Sequence, residues 1–113
     1  GVQFTNLKDF VSPSFTECNL SYCSFSGLKL KKCHFVQSIF EDTDLSQADL
    51  TECNFQGSDF LNARFNATTL IKADFRNAKN YRIDPISNKI KGARFSLPEA
   101  QGLLVGLGVI IEN

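Results

Sequence analysis

Reading every fifth residue from Phe10 gives Phe10, Phe15, Leu20, Phe25, Leu30, Phe35, Phe40, Leu45, Leu50, Phe55, Phe60, Phe65, Leu70 and Phe75. All fourteen are Phe or Leu, although these two residue types make up only about a fifth of the chain. A step of five suits neither regular element. On an α-helix it advances about 500°, so the apolar positions would spiral over every face. On a straight strand an odd step sends successive residues to opposite sides. One interior can collect all of them only if the backbone turns a corner within each unit. The chain is therefore expected to be a solenoid with one side per five residues.

Two residues before each centre stand Cys18, Cys23, Leu28, Cys33, Ser38, Thr43, Ala48, Cys53, Ser58, Ala63, Thr68, Ala73 and Ala78, all small or medium except Leu28. A spacing of two in extended chain puts both residues on one face, so these must be narrow enough to lie beside the large centres. The intervening positions are mostly polar, as at Glu17, Asn19, Lys29, Asp44, Asp49, Asn54, Asp59 and Asp74. Residues twenty apart sort by type: 15, 35, 55 and 75 are Phe, and 30, 50 and 70 are Leu, whereas a step of fifteen mixes the two. This predicts four sides and twenty residues per coil. The columns resume beyond Asn80 and Pro85, because Ile90 falls on the Leu column and Phe95 on the Phe column. Residues 80–95 are read as a last coil, distorted over Tyr81–Asn88 because Pro85 has no amide proton for a ladder. The expected core columns are Phe15, Phe35, Phe55, Phe75 and Phe95, and Leu30, Leu50, Leu70 and Ile90.

The chain then divides into a solenoid over 1–95 and a capping element over 96–113. Ser96-Leu97-Pro98-Glu99 reads as a capping box, with Pro98 tolerated in the first helical turn. Ala100, Leu103, Leu104 and Leu107 give a helical stripe, and Gly106 or Gly108 would end it. A short C-terminal α-helix would thus plug the solenoid. Leu103, Leu104, Leu107, Val109, Ile110 and Ile111 hold more apolar surface than one coil end needs, which makes them candidates for a two-fold dimer interface.

Little in the sequence offers chemistry. Cys18, Cys23, Cys33 and Cys53 all occupy the narrow inward position and read as free thiols, which suits a reducing, cytoplasmic setting. His34 should point away from its neighbour Cys33, which leaves no nucleophile pair. No zinc spacing, phosphate loop or acid–base set is present, so no catalytic, metal or cofactor residue is assigned and the chain reads as non-enzymatic. No apolar run approaches the ~18 residues of a membrane-spanning helix. Twelve basic residues balance twelve acidic ones, which argues against direct nucleic-acid binding driven by net charge.

The distribution of charge is more telling. Between Lys32 and Arg64 no cation occurs, while Glu41, Asp42, Asp44, Asp49, Glu52 and Asp59 form an acidic belt at outward positions. From Arg64 to Arg94 the balance turns basic. The plain reading is solvation, with Asp or Asn before each centre hydrogen-bonding the backbone of its corner. The functional reading is a carboxylate surface offered to the basic groove of a protein partner. Outward Val36, Ile39, Leu61 and Ile71 are further candidate contacts.

Ala48-Asp49-Leu50-Thr51-Glu52, Ser58-Asp59-Phe60-Leu61-Asn62 and Ala73-Asp74-Phe75-Arg76-Asn77 resemble the A(D/N)LXX signature of the pentapeptide-repeat family over about residues 10–95. The resemblance implies an all-β solenoid, a right-handed quadrilateral β-helix. The tail, from Asn80-Tyr81-Arg82-Ile83-Asp84-Pro85 through Ala93–Ala100 to Leu103-Leu104 and Leu107-Gly108, is similar to the end of quinolone-resistance (Qnr-like) members. That likeness implies a bacterial homodimer joined by the C-terminal helix. It also implies a DNA mimic that binds and protects DNA gyrase or topoisomerase IV. The chain departs from those members in being about half their usual length, in lacking a long inserted loop over 10–79, and in its zero net charge. It is therefore expected to be a C-terminal portion of such a protein. The alternative expectation is a structural interaction module without topoisomerase activity.

Overall fold

A computed structural model describes residues 16–109 of the chain. The expected core residue Phe15 and the tail residues Ile110 and Ile111 lie outside the described residues. Every bridge joins residues twenty apart in parallel, from Asn19↔Ile39 through His34↔Asn54 to Thr69↔Lys89. Strand β1 (Asp74–Phe75) pairs in parallel with β2 (Arg94–Phe95) in the same register. The chain winds as a four-sided β-helix, giving a rod of 46 × 24 × 24 Å. Side one carries 38–40, 58–60 and 78–80, and side two carries 43–45 and 63–65. Side three carries 28–30, 48–50, 68–70 and 88–90, and side four carries 33–35, 53–55, 73–75 and 93–95.

Corners recur because the same turn recurs. The amide three residues past a centre returns to that centre's carbonyl, as in Cys53 N to Leu50 O at 3.1 Å and Ala73 N to Leu70 O at 3.1 Å. The residue just before that amide has positive φ, including Lys32 (63°), Glu52 (60°) and Lys72 (59°). Positive φ at the third turn position is the mark of a type II turn. Placing non-glycine residues there costs about 1 kcal/mol each. The ladder offsets that cost: Lys32 N donates to Thr51 O at 2.9 Å, and Lys72 N to Lys91 O at 3.0 Å.

Inside, the expected columns form. Phe40, Leu50, Phe55, Phe60, Leu70 and Phe75 are each 0% exposed, and Leu30 and Phe35 are buried with them. Rings within a column stack, with centroids 5.5 Å apart for Phe35–Phe55, 5.0 Å for Phe55–Phe75 and 5.3 Å for Phe75–Phe95. Rings of adjacent columns meet edge-on, as in Phe40–Phe55 at 5.7 Å and 75°, so both favoured aromatic geometries are used together. Ile90 and Phe95, in the last coil, are only partly buried.

The narrow positions are more than narrow. Thr43 Oγ1 donates to Leu20 O (2.8 Å), Cys53 Sγ to Leu30 O (2.8 Å) and Thr68 Oγ1 to Leu45 O (2.7 Å), each reaching down to the coil below. At some corners the amide donates instead to such a side chain: Ser38 N to Ser58 Oγ (3.0 Å) and Thr68 N to Asn88 Oδ1 (2.9 Å), and likewise Cys18 N to Ser38 Oγ (3.3 Å). Size alone asked only for a narrow residue at these places. The Ser and Thr residues there carry buried hydrogen bonds that lock coil to coil.

The last coil keeps register through Thr69↔Lys89 and Asp74↔Arg94, with the expected distortion before them, between Asp59↔Lys79 and Thr69↔Lys89. Gln47 N donates to Asn66 O, but in the next coil Ala67 N donates to Ser87 O, so the ladder slips by one residue beside Pro85 and is back in step at Lys89. Ile83 turns inward there and is buried. Tyr81 packs between Phe75 (5.8 Å) and Phe95 (5.4 Å) with its hydroxyl buried and without a partner. Burial, with Glu99 contributing less, pushes its phenol up to about 12. Folding therefore favours the neutral phenol, a contribution complete below the ordinary value of about 10 and lost as pH rises towards the folded value. A Tyr22→Phe protein, with Tyr81 its remaining tyrosine, should develop phenolate absorbance near pH 12 rather than the usual tyrosine range. Tyr81→Phe should leave stability unchanged or slightly higher, because no hydrogen bond is lost; a clear loss in urea denaturation would contradict the unpartnered hydroxyl.

Helix α1 spans Gln101–Val105, begins after Ala100 and has no side-chain cap. The capping box read from Ser96 and Glu99 does not form. The ladder's Asn77 N donates to Ser96 Oγ at 3.2 Å, so that hydroxyl is held on the coil below. Gly106 ends the helix and lies against Pro85, where a Cβ would come within 2.9 Å of the ring.

Candidate protein-interaction surfaces

The carboxylates of the belt serve the corners first. Asp44, Asp49 and Asp59 stand just before their centres and accept from Ser46 N (3.0 Å), Thr51 N (3.2 Å) and Leu61 N (3.1 Å). Asn54 and Asp74 do the same for Gln56 N and Arg76 N. Several also face cations: Lys31–Asp49 at 3.7 Å, Lys32–Glu52 at 3.8 Å and Arg64–Asp44 at 3.9 Å. Asp59 accepts from Asn80 Nδ2 at 2.9 Å. Glu41 and Asp42, at the corner between sides one and two, are in no ion pair among the described residues.

Folding divides the belt. Glu41, Asp42, Asp44 and Asp59 gather around the corner of sides one and two, whereas Asp49 and Glu52 lie on side three and the corner beyond it. Most cations sort the other way, with Arg64, Lys79 and Arg82 remaining on sides one and two or their corner. Lys29, Lys31, Lys32, Lys72, Lys89, Lys91 and Arg94 all stand on sides three and four or the corner between them, against Asp49, Glu52 and Asp74. Charge that balances in total is thus unbalanced across the rod. Periodicity twenty applied to charge, as it was to Phe and Leu, would have found this.

The other expected residues fall as follows. Cys33 and Cys53 stack on side four, buried, and all four cysteines are free thiols; burial pushes the Cys53 thiol up. His34 is exposed, pointing away from Cys33. Ile39 and Leu61 are exposed, whereas Val36 and Ile71 are half-buried. Among the described residues no group of three or more His, Cys, Asp or Glu could hold a metal ion, and no helix is long and apolar enough to cross a membrane. At the C-terminal end Leu104 (45%), Leu107 (50%) and Val109 (47%) are exposed together, while Leu103 turns inward onto its own coil. Leu103 also lines a cleft of about 340 Å³ with Tyr81, Ile83 and Gly106, so it serves the cap rather than an outer face.

Among curated proteins no sequence relative matches. A trypsin-treated variant of QnrB1, a plasmid-mediated fluoroquinolone resistance protein, superposes with a TM-score of 0.73 at 23% identity, covering 88% of this chain and 49% of its own. The chain thus spans about half the length of that protein. A pentapeptide repeat protein from the cyanobacterium Cyanothece matches at 21% identity over 79% of this chain and 65% of its own, with a TM-score of 0.35. The QnrB1 superposition shows a shared fold, the right-handed quadrilateral β-helix. The family model of the pentapeptide repeat region matches residues 13–95, which agrees with the twenty-residue ladder, the stacked columns and the type II corners; the chain belongs to the pentapeptide repeat family.

Proposed function

We propose that this chain is a non-enzymatic protein-binding module of the cytoplasm whose acidic corner engages the basic groove of a DNA-binding enzyme, a type II topoisomerase such as DNA gyrase or topoisomerase IV. The observation that carries the reading is the corner formed by Glu41, Asp42, Asp44 and Asp59, where Glu41 and Asp42 are held by no ion pair among the described residues. Carboxylates mounted on a stiff rod can take the place of phosphates at little ordering cost. The likeness in fold to a fluoroquinolone resistance protein supports the choice of partner. Leu104, Leu107 and Val109, each exposed near the C-terminal end, support association of two copies there.

A gyrase supercoiling assay with a quinolone present tests this. The protein should restore supercoiling, and Glu41→Lys with Asp42→Lys should lower its potency about tenfold, while the corner itself should hold, since its bonds at these residues are to backbone atoms. Equal potency of the variant removes the acidic corner from the reading, and indifference of gyrase to both proteins removes the topoisomerase. The reading left would be a module for another partner, which the ion-paired Asp44, Asp49 and Glu52 favour. In light scattering, Leu104→Asp should halve the mass of the native protein.

A further inference from the structure

We propose that the C-terminal edge of the solenoid along residues 88–95 accepts one further rung from another protein: an extended acidic segment carrying two large apolar residues five apart.

The backbone edge is open. In the lower coils each centre, and the residue two beyond it, donates upward, as in Leu50 N to Thr69 O (2.8 Å), Glu52 N to Ile71 O (2.8 Å) and Leu70 N to Lys89 O (2.7 Å). The equivalent donors of the last coil, Ile90 N, Gly92 N and Phe95 N, have no acceptor among the described residues. The carbonyls of Asn88 and Ala93 likewise lack the donors that Ala48 O and Cys53 O receive from Thr69 N and Asp74 N. Helix α1 does not cover this stretch, because Leu103 and Gly106 lie over Tyr81–Pro85 on the other half of the coil end. Ile90, Ala93 and Phe95 are accordingly part-exposed, whereas Leu70, Ala73 and Phe75 beneath them are 0% exposed. An added rung would extend the ladder and bury these three through its own inward residues.

Charge selects the occupant. Bridges in the solenoid set opposite charges one above the other at Lys29↔Asp49, Asp44↔Arg64, Asp59↔Lys79 and Asp74↔Arg94, and among the described residues none joins like charges. At the open edge Lys89 stands over Thr69 and Lys91 over Ile71, while Arg94 shares Asp74 with Arg76, which bonds that carboxylate at 2.7 Å. Between Asp84 and Glu99 there is no carboxylate. The rung that fits carries acids over Lys89, Lys91 and Arg94 and large apolar residues over Ile90 and Phe95. A second copy meeting edge to edge would bring these three cations against their like, which is how natural edges avoid self-pairing. Duplex nucleic acid satisfies the cations but leaves the carbonyls and the apolar pair uncovered.

Fluorescence anisotropy of the full chain with a labelled octapeptide, Ala-Asp-Leu-Asp-Gly-Ala-Asp-Phe, tests the proposal. Saturable binding below about 1 mM is expected. It should weaken about tenfold for Lys89→Glu with Lys91→Glu, vanish when the peptide backbone is N-methylated, and persist for Glu41→Lys. An unchanged unfolding midpoint certifies the double variant. Absence of binding, equal binding of a Lys-for-Asp peptide, indifference to N-methylation, or displacement by a duplex oligonucleotide overturns the proposal. So does a fall in the protein's own mass on Lys91→Glu, which would make a second copy the occupant.

Discussion

Phe55→Ala should destabilise the protein by about 3–5 kcal/mol, the range for emptying a fully buried aromatic site. Phe55 is 0% exposed, stacks on Phe35 and Phe75, and meets Phe40 and Phe60 edge-on. Its neighbours cannot collapse into the space, because each is fixed by a rung of backbone bonds at its own height. Denaturation in urea, comparing the variant with the wild type, measures the loss. Phe55→Leu should cost much less, since Leu fills the neighbouring column at Leu50 and Leu70 without strain. A loss under about 1 kcal/mol for Phe55→Ala would mean that the shaft is looser than its stacking indicates. A broadened transition is also expected, because a coil-by-coil structure loses cooperativity where one interface weakens.

Asn88→Ala should cost about 2–3 kcal/mol, more than its place in an irregular segment suggests. Its Oδ1 accepts from Thr68 N (2.9 Å), and its Nδ2 donates to Phe65 O (3.2 Å) and Asp84 O (2.9 Å), so one buried side chain fastens the distorted stretch to the coil below. Removing it leaves the Thr68 amide and the Phe65 carbonyl only each other, in the strained geometry of a corner built around the side chain, and cuts the tie to Asp84 O. Hydrogen exchange of the Thr68 amide should accelerate along with the loss of stability. Unchanged protection at Thr68 would assign that amide another acceptor.

These two residues also mark how far the sequence could be read. Phe55 was legible because burial of large residues every five positions leaves few architectures, and a step of twenty yields one column of Phe and one of Leu. Asn88 was not, because it ends the stretch Tyr81–Asn88 that Pro85 is expected to distort, although it sits two before Ile90 in the narrow position. Weighing narrow positions by size alone missed the hydroxyl ladder of Thr43, Ser58 and Thr68, since a donor that reaches the preceding coil leaves no local signal. Ser96 and Glu99 misled for the converse reason: a good local motif lost to a ladder amide, Asn77 N, from a distant part of the chain. The acidic belt was legible as composition but not as geometry. Neighbours in sequence such as Asp44 and Asp49 fall on different sides, while Lys72 and Lys91 come together.

The twenty-residue turn has a consequence for how such a rod can change its length. Deleting or duplicating a whole turn would shorten or lengthen it while leaving every outward residue aimed as before. An insertion of a single pentapeptide would keep the interior filled yet rotate everything beyond it by about 90°, so that the edge bearing Lys89 and Lys91 would swing round relative to the corner bearing Glu41 and Asp42. Partner geometry could thus be reset in quarter turns without touching the core.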